Sequence, residues 1–357
     1  MKFMQIHATN INGLGASQVV ISLLDSMSID GEFENYTIYL PKTGILENYI
    51  PKKGFVKRFR RVLPNSISRL LECFFSRFFF KNEPTIVLGD IPLRGIKNQV
   101  VLVHQSNLIK PSINSFSSSS LNFKISRFLF AINHKYAKKI IVQTGAMADE
   151  LIASYPSIKD KVIISPQPVP NWLSLEKIKS IKDINKVILF YPAAFYPHKK
   201  HHFLKELNDY LEINNISSSN FEIWITLKED EFIAFENITF LKNLGRLSPS
   251  EMNKKYGEVD GLLFLSSMES YGLPIIEALT LNLPILVPDF KYSRWLCEDL
   301  AYYFKPYNLE SFVTSFNELS SDLVKENMID YNKVLNKFPK DWSFVSDTFK
   351  NALKNNQ

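Results

Sequence analysis

The sequence predicts an α/β protein made of two doubly wound halves, each a parallel sheet with helices packed on its faces. Three observations carry that expectation. Short apolar runs alternate with longer mixed segments through both halves, the rhythm of β-α-β units. Pro166, Pro168 and Pro170 interrupt the alternation near the middle and read as a stiff connector. The 357 residues, 45% hydrophobic and 22% charged, are enough for two soluble domains of ordinary size.

In chain order, residues 2–8 read as the first strand, 10–17 as a glycine-containing loop and 18–27 as a helix. Strands are expected at 36–40, 85–88 and 100–104. The serine-rich stretch 115–120 carries no packing signal and reads as a mobile loop. A strand at 139–144, a helix at 145–155 and a strand at 161–164 complete the first half. The second half restarts with a strand at 186–191, a helix at 200–213, a strand at 221–226 and a short strand at 239–241. Ser248-Pro249-Ser250-Glu251 has the form of a capping box, opening a helix that reaches Tyr256. Residues 342–354 read as a terminal helix.

Composition narrows the class. No apolar run reaches the roughly 20 residues that span a bilayer. The start, Met1 to His7, reads as a strand and not as a leader. Cys73 and Cys297 lie far apart, so neither a disulfide framework nor a metal cluster is expected, and a reducing cytoplasm fits. The net charge of +6 is concentrated between Lys52 and Lys81, where nine Lys and Arg face a single acid, Glu72. Phenylalanines interleave with that charge around residues 70–80. The segment reads either as an amphipathic helix on an anionic membrane surface, Phe side in and Arg side out, or as a core-facing helix with a solvated face. No nucleic-acid motif accompanies the charge.

One string concentrates the chemistry: Ser266-Ser267-Met268-Glu269-Ser270-Tyr271-Gly272-Leu273-Pro274-Ile275-Ile276-Glu277-Ala278. It follows a short apolar run, 261–265, that reads as a buried strand. Gly272 opens backbone angles closed to other residues, and Pro274 suits the first turn of a helix. Glu269 then lies in a strand-to-helix loop and Glu277 one turn into the helix. The free N–H groups and positive dipole end between them suit a phosphate. The plain alternative for Glu277 is a helix glutamate that only complements the dipole.

The string resembles the E-x7-E signature of the family 4 glycosyltransferases, retaining enzymes of the GT-B fold: acid, aromatic-Gly turn, Pro, acid, then Ala. The continuation Asn282-Leu283-Pro284-Ile285-Leu286-Val287-Pro288-Asp289 is similar to the family's next strand. The resemblance implies two Rossmann-like domains around a cleft. The acceptor-binding domain would span 1–168 and the donor-binding domain 169–338, with 339–357 packing back on the first. It implies that Glu269 lies beside the donor sugar, that Glu277 binds the nucleotide ribose, and that backbone N–H groups of Ser270, Tyr271, Gly272 and Leu273 contact sugar or diphosphate. Lys199, in Tyr196-Pro197-His198-Lys199-Lys200-His201, matches the lysine that stabilises the leaving diphosphate, so no metal is expected. The family's companion arginine is replaced by Ala193, and Lys200 or Arg246 could compensate. Arg246 also stands where the family reads the base through backbone. His104, at a strand end, matches a histidine near the donor sugar. Gly13 and Gly15 match the family's glycine loop, although Gln18 breaks a dinucleotide fingerprint.

The function implied is transfer of a sugar from a UDP- or GDP-sugar to a carbohydrate acceptor, a lipid-linked surface polysaccharide intermediate of the O-antigen or capsule kind. No cofactor beyond the donor is expected, and a cytoplasmic location, peripheral on the inner face of the plasma membrane, fits. Two other readings stand beside it. One is a non-catalytic glycan- or lipid-binding protein on a degenerate GT-B scaffold. The other is a GT-B epimerase or phosphorylase; a phosphorylase would need a longer chain with a pyridoxal-binding lysine.

Overall fold

The computed structural model describes residues 4–11, 13–27, 36–52, 54–59, 65–110, 121–170, 173, 186–327 and 329–354. The serine-rich stretch 115–120 and the basic residues Lys53, Arg60 and Arg61 lie outside the described residues. The chain divides into two compact units, 1–168 with 339–357, and 169–338.

The first unit runs β1 (Met4–His7), α1 (Leu14–Met27), β2 (Tyr36–Pro41), β3 (Phe55–Phe59), α2 (Asn65–Phe74), α3 (Ser76–Phe79), β4 (Thr85–Val87), β5 (Gln99–Leu102), α4 (Leu121–Asn133), β6 (Lys139–Val142), α5 (Gly145–Ser154) and β7 (Val162–Ile164). Its strands order as β3-β2-β1-β4-β5-β6-β7, all parallel. The central apolar strands β1, β4 and β5 are buried on both faces, as a parallel sheet requires. On one face Ile6, Ile38, Ile86 and Val100 meet Val20, Leu23 and Met27 of α1. On the other, Val87, Val101 and Ile140 meet Phe130 of α4 and Met147 and Leu151 of α5. Thr144 caps α5 through the Met147 N–H at 3.2 Å.

The second unit runs β8 (Val187–Tyr191), α6 (Phe203–Ile213), β9 (Phe221–Ile225), α7 (Glu229–Phe232), β10 (Leu241–Asn243), α8 (Pro249–Tyr256), β11 (Gly261–Leu263), α9 (Leu273–Thr280), β12 (Ile285–Pro288), α10 (Lys291–Cys297), β13 (Tyr302–Phe304), α11 (Leu309–Val324) and α12 (Asn332–Leu335). The parallel order β10-β9-β8-β11-β12-β13 repeats the winding of the first sheet. The expected capping box is present: Ser248 Oγ accepts the Glu251 N–H, and Glu251 accepts the Ser248 N–H at 2.7 Å. The last helix, α13 (Trp342–Lys354), belongs to the first unit, where Val345, Phe349 and Leu353 join the core beside α1.

Three expectations need correction. Helix α1 begins at Leu14, so Gly15 lies in its first turn and not in a loop. The helix expected around 70–80 is interrupted: α2 ends at Phe74 and the short α3 starts at Ser76, while upstream the basic segment forms edge strand β3. Its charge is not all solvated either. Arg69 and Glu72 are buried and paired, and Arg58 donates to the carbonyls of Leu46 and Tyr49 at 2.8 and 2.7 Å. Loop carbonyls and a buried carboxylate took the cations that composition alone would leave in water.

Candidate active site

In a doubly wound sheet, ligands bind beyond the carboxyl ends of the strands where the winding reverses. In the second unit that point lies between neighbours β8 and β11. Beyond β8 the chain makes a single 3-10 turn, Pro197–Lys199, and Lys200 then takes left-handed angles, φ 55°. Beyond β11 comes the acidic string. Hydrogen bonds staple the two loops together. The His198 carbonyl accepts from the Ser267 N–H at 2.8 Å and from the hydroxyls of Ser266 and Ser267 at 3.3 and 3.2 Å. The Tyr191 hydroxyl donates to the Lys199 carbonyl, and the Tyr292 hydroxyl to the Ser266 carbonyl.

The staple brings together side chains that are 70 positions apart. Lys199 Nζ is ion-paired with Glu269 Oε1. Only 16% and 12% of the two side chains are exposed, so water screens the pair poorly. Phe264 lies under the ammonium, its ring centre 5.1 Å away.

Gly272 turns the chain from loop to helix with φ 77°, and a Cβ there would sit 2.9 Å from Leu296 Cδ1. Pro274 occupies the first turn of α9, and the Ile275 N–H closes on the Gly272 carbonyl at 3.0 Å. Ser270, Tyr271, Gly272 and Leu273 thus form the turn between the acids, with the Tyr271 ring buried against Phe338. Glu277 follows one turn later. It is 5% exposed and its Oε2 accepts the Tyr256 hydroxyl at 2.6 Å. Burial pushes its carboxyl up to about 7, against the opposing pull of that hydrogen bond. Sequence reasoning passed over Tyr256, which lies on α8 and leans edge-on against Phe190 of β8 at 5.1 Å. A tyrosine at the end of an amphipathic helix carries no local signal of this contact.

The other second-unit candidates go elsewhere. Lys200 Nζ lies 5.0 Å from the centre of the Tyr307 ring. Arg246 is 56% exposed and reaches Glu231 at 3.9 Å. Ala193 is buried. His201 is buried between Tyr191 and Phe195, and burial pushes its imidazole down to about 4.

In the first unit the winding reverses between β1 and β4. Gly13 is exposed just before α1, and its carbonyl accepts the Ser17 N–H at 2.9 Å; Gly15 is exposed on the first turn. His104 stands two residues past β5, with Nδ1 3.4 Å from Asp90 Oδ1. Asp90 follows β4 in a left-handed conformation, φ 68°, and its Oδ1 accepts the N–H groups of His104 and Gln105 at 2.8 and 3.0 Å. Arg69 of α2 donates to the carbonyls of Gly89 and Ile91 on either side of Asp90. Glu72 ties Arg69 to His7 and Thr9 at the end of β1. The helix read as a membrane element therefore also braces the strand ends.

No protein-family model matches the chain. The O-antigen chain mannosyltransferase RfbU of Salmonella typhimurium is 23% identical over 235 residues, 64% of this chain and 62% of RfbU, so the match spans less than two thirds of that relative. The lipopolysaccharide outer core galactosyltransferase WaaB matches with a TM-score of 0.67 at 13% identity, covering 99% of both chains. HepE of Anabaena, solved with UDP and glucose, matches with a TM-score of 0.68 at 14% identity, covering 99% of this chain and 100% of its own. The fold is GT-B. Within this GT-B chain the second unit gathers Lys199, Glu269 and the Gly272 turn at its switch point, and the first unit places Gly13, Gly15 and His104 at the ends of β1 and β5.

Proposed function

We propose that the chain is a glycosyltransferase that moves a sugar from a nucleotide diphosphate donor to a glycan acceptor, with retention at the sugar carbon. The observation that carries this reading is the Lys199–Glu269 pair at the β8/β11 switch point, beside the Gly272 turn and the start of α9. The resemblance to lipopolysaccharide and O-antigen transferases supports a glycan acceptor of that class; that it is lipid-linked during assembly is part of the proposal. A diphosphate reaching this point would take Lys199 from Glu269 and leave the carboxylate to the hydroxyls of the donor sugar. Lys199 would then offset the charge that develops on the departing diphosphate, and the positive dipole end of α9 would share it. Ala193 supplies no second cation; Lys200, over the Tyr307 ring, and Arg246, beside Glu231, would have to leave those partners to take that role. Glu277 would hold the ribose, and His104, Gly13 and Gly15 would handle sugar and acceptor from the first unit. The donor is a UDP- or GDP-sugar; the UDP held by HepE supports the first.

The test is donor turnover by Glu269→Ala and Lys199→Ala. The expected result is loss of at least a hundredfold in each. Full turnover in both overturns the assignment, and nucleotide-sugar binding without any turnover by the native chain favours the non-catalytic scaffold.

We also propose that the first unit meets an anionic membrane surface through the remainder of its basic segment. Phe78 is 84% exposed, with Phe75 and Phe79 half-exposed beside it. A pocket of about 540 Å³ opens there, lined in part by Tyr39, Lys57, Arg77, Phe79 and Lys81. Among the described residues no helix is long and apolar enough to cross a membrane. Co-sedimentation with phosphatidylglycerol vesicles should fall several-fold in Phe78→Asp and in Lys57→Glu with Lys81→Glu; unchanged binding removes the membrane reading.

A further inference from the structure

Glu277 is the only carboxylate on α9, yet the side chain that touches it comes from another helix. The Tyr256 ring is 2% exposed and packed on Phe190, so its hydroxyl needs a partner inside the protein. It donates to Glu277 Oε2 at 2.6 Å. We propose that Tyr256 is a positioning residue of the donor site: its hydroxyl grips Glu277 by Oε2 and leaves Oε1 to accept from the cis-diol of a nucleotide ribose. The inference rests on the donor reading of the second unit and adds to it a residue that does not touch the ligand.

Chemistry explains why such a residue is needed. A carboxyl group accepts hydrogen bonds from two hydroxyls far more strongly when it is ionised. Burial works against that, holding the Glu277 carboxyl at about 7, and the Tyr256 hydroxyl is the group that favours the charged form. The surrounding elements offer no other help. β11 and β12 present only apolar side chains and backbone. On α10, Lys291 is exposed, Arg294 is committed to Asp289, Tyr292 donates to Ser266, and Cys297 is buried with its thiol pushed up to about 12. On α8 itself, Lys255 is paired with Glu258.

The experiment is Tyr256→Phe, which keeps the ring and its packing and removes one oxygen. Binding of UDP and GDP, and of their 2′-deoxy forms, is measured from pH 6 to 9. One hydrogen bond to a charged acceptor favours ionisation about tenfold. The variant should therefore bind the better nucleotide roughly fivefold more weakly at pH 7 and recover to within about twofold at pH 9. Its preference for the ribonucleotide over the deoxy form should shrink at pH 7 and return at pH 9. A ligand-free readout accompanies this: the pH dependence of unfolding should move to higher pH by about one unit. A loss that is equal at every pH makes the hydroxyl merely structural and overturns the proposal, as does unchanged binding. If the native chain binds neither nucleotide, the donor reading itself falls. If it binds one and Tyr256→Phe changes nothing, only the role of Tyr256 falls.

Discussion

Replacing Glu277 with glutamine should make the protein more stable and less able to bind its ligand. The carboxyl is held at about 7 in the folded chain, against an ordinary value of 4.5, because burial penalises its charge. A group whose folded value is raised binds its proton more tightly in the native state. Stability is then full below pH 4.5, falls as pH rises through the interval to 7, and levels off above it. The difference between 4.5 and about 7 corresponds to roughly 3 kcal/mol at pH 8, an upper bound that local relaxation reduces. Glutamine cannot ionise, fills the same volume and can still accept from Tyr256. Glu277→Gln should therefore unfold up to about 3 kcal/mol later than the native chain at pH 8, and the gap should close near pH 4.5. For a unit of this size that is on the order of 6–10 °C. Calorimetric melts of both proteins from pH 4.5 to 8.5 read the gap directly, because titrations common to both, His201 included, cancel in the difference. Parallel curves would show that Glu277 is not desolvated in the folded chain and would refute the reasoning. Nucleotide protection against melting should weaken in the same variant, a cost in function set against the gain in stability.

Two further outcomes follow from the geometry. Gly272→Ala should cost about 1–2 kcal/mol, since φ 77° suits glycine and the new methyl would crowd Leu296, and turnover should fall with it as the two acids shift; an unchanged melting temperature contradicts this. Arg69→Ala should cost roughly 3–5 kcal/mol by leaving Glu72 buried without its guanidinium partner and the Gly89 and Ile91 carbonyls without their donor; a loss below about 1 kcal/mol would refute the bracing role of Arg69.

The α/β class and most of the central strands are legible in the chain because each buried parallel strand is a short apolar run with loops on either side. The Glu269–Glu277 string is legible for the same kind of reason: an acid, a left-handed glycine, a helix-starting proline and a second acid are a local grammar that needs nothing distant. Strands β3 and β13 were missed. Phe55–Phe59 is an edge strand with Lys57 and Arg58 in it, so it presents no apolar run, whereas Tyr302–Phe304 ends an aromatic-rich apolar run between charged neighbours that was not assigned. The same mixture of charge and aromatic residues hid the break between α2 and α3 and the burial of Arg69.

By itself, the sequence determined where the turns, caps and apolar strands fall, since these depend on neighbours within a few positions. Tertiary structure alone decided the partners: Lys199 with Glu269, Tyr256 with Glu277, Arg69 with Glu72 and the carbonyls around Asp90. Most of these arise where parallel strands far apart in sequence become neighbours, and a crossover connection leaves no periodic trace of which loop it will meet. Even the short Arg69–Glu72 step depends on it, because the pair is buried only where α2 meets the ends of β1 and β4. Whether a charge is solvated, paired or held near neutrality is a property of that meeting.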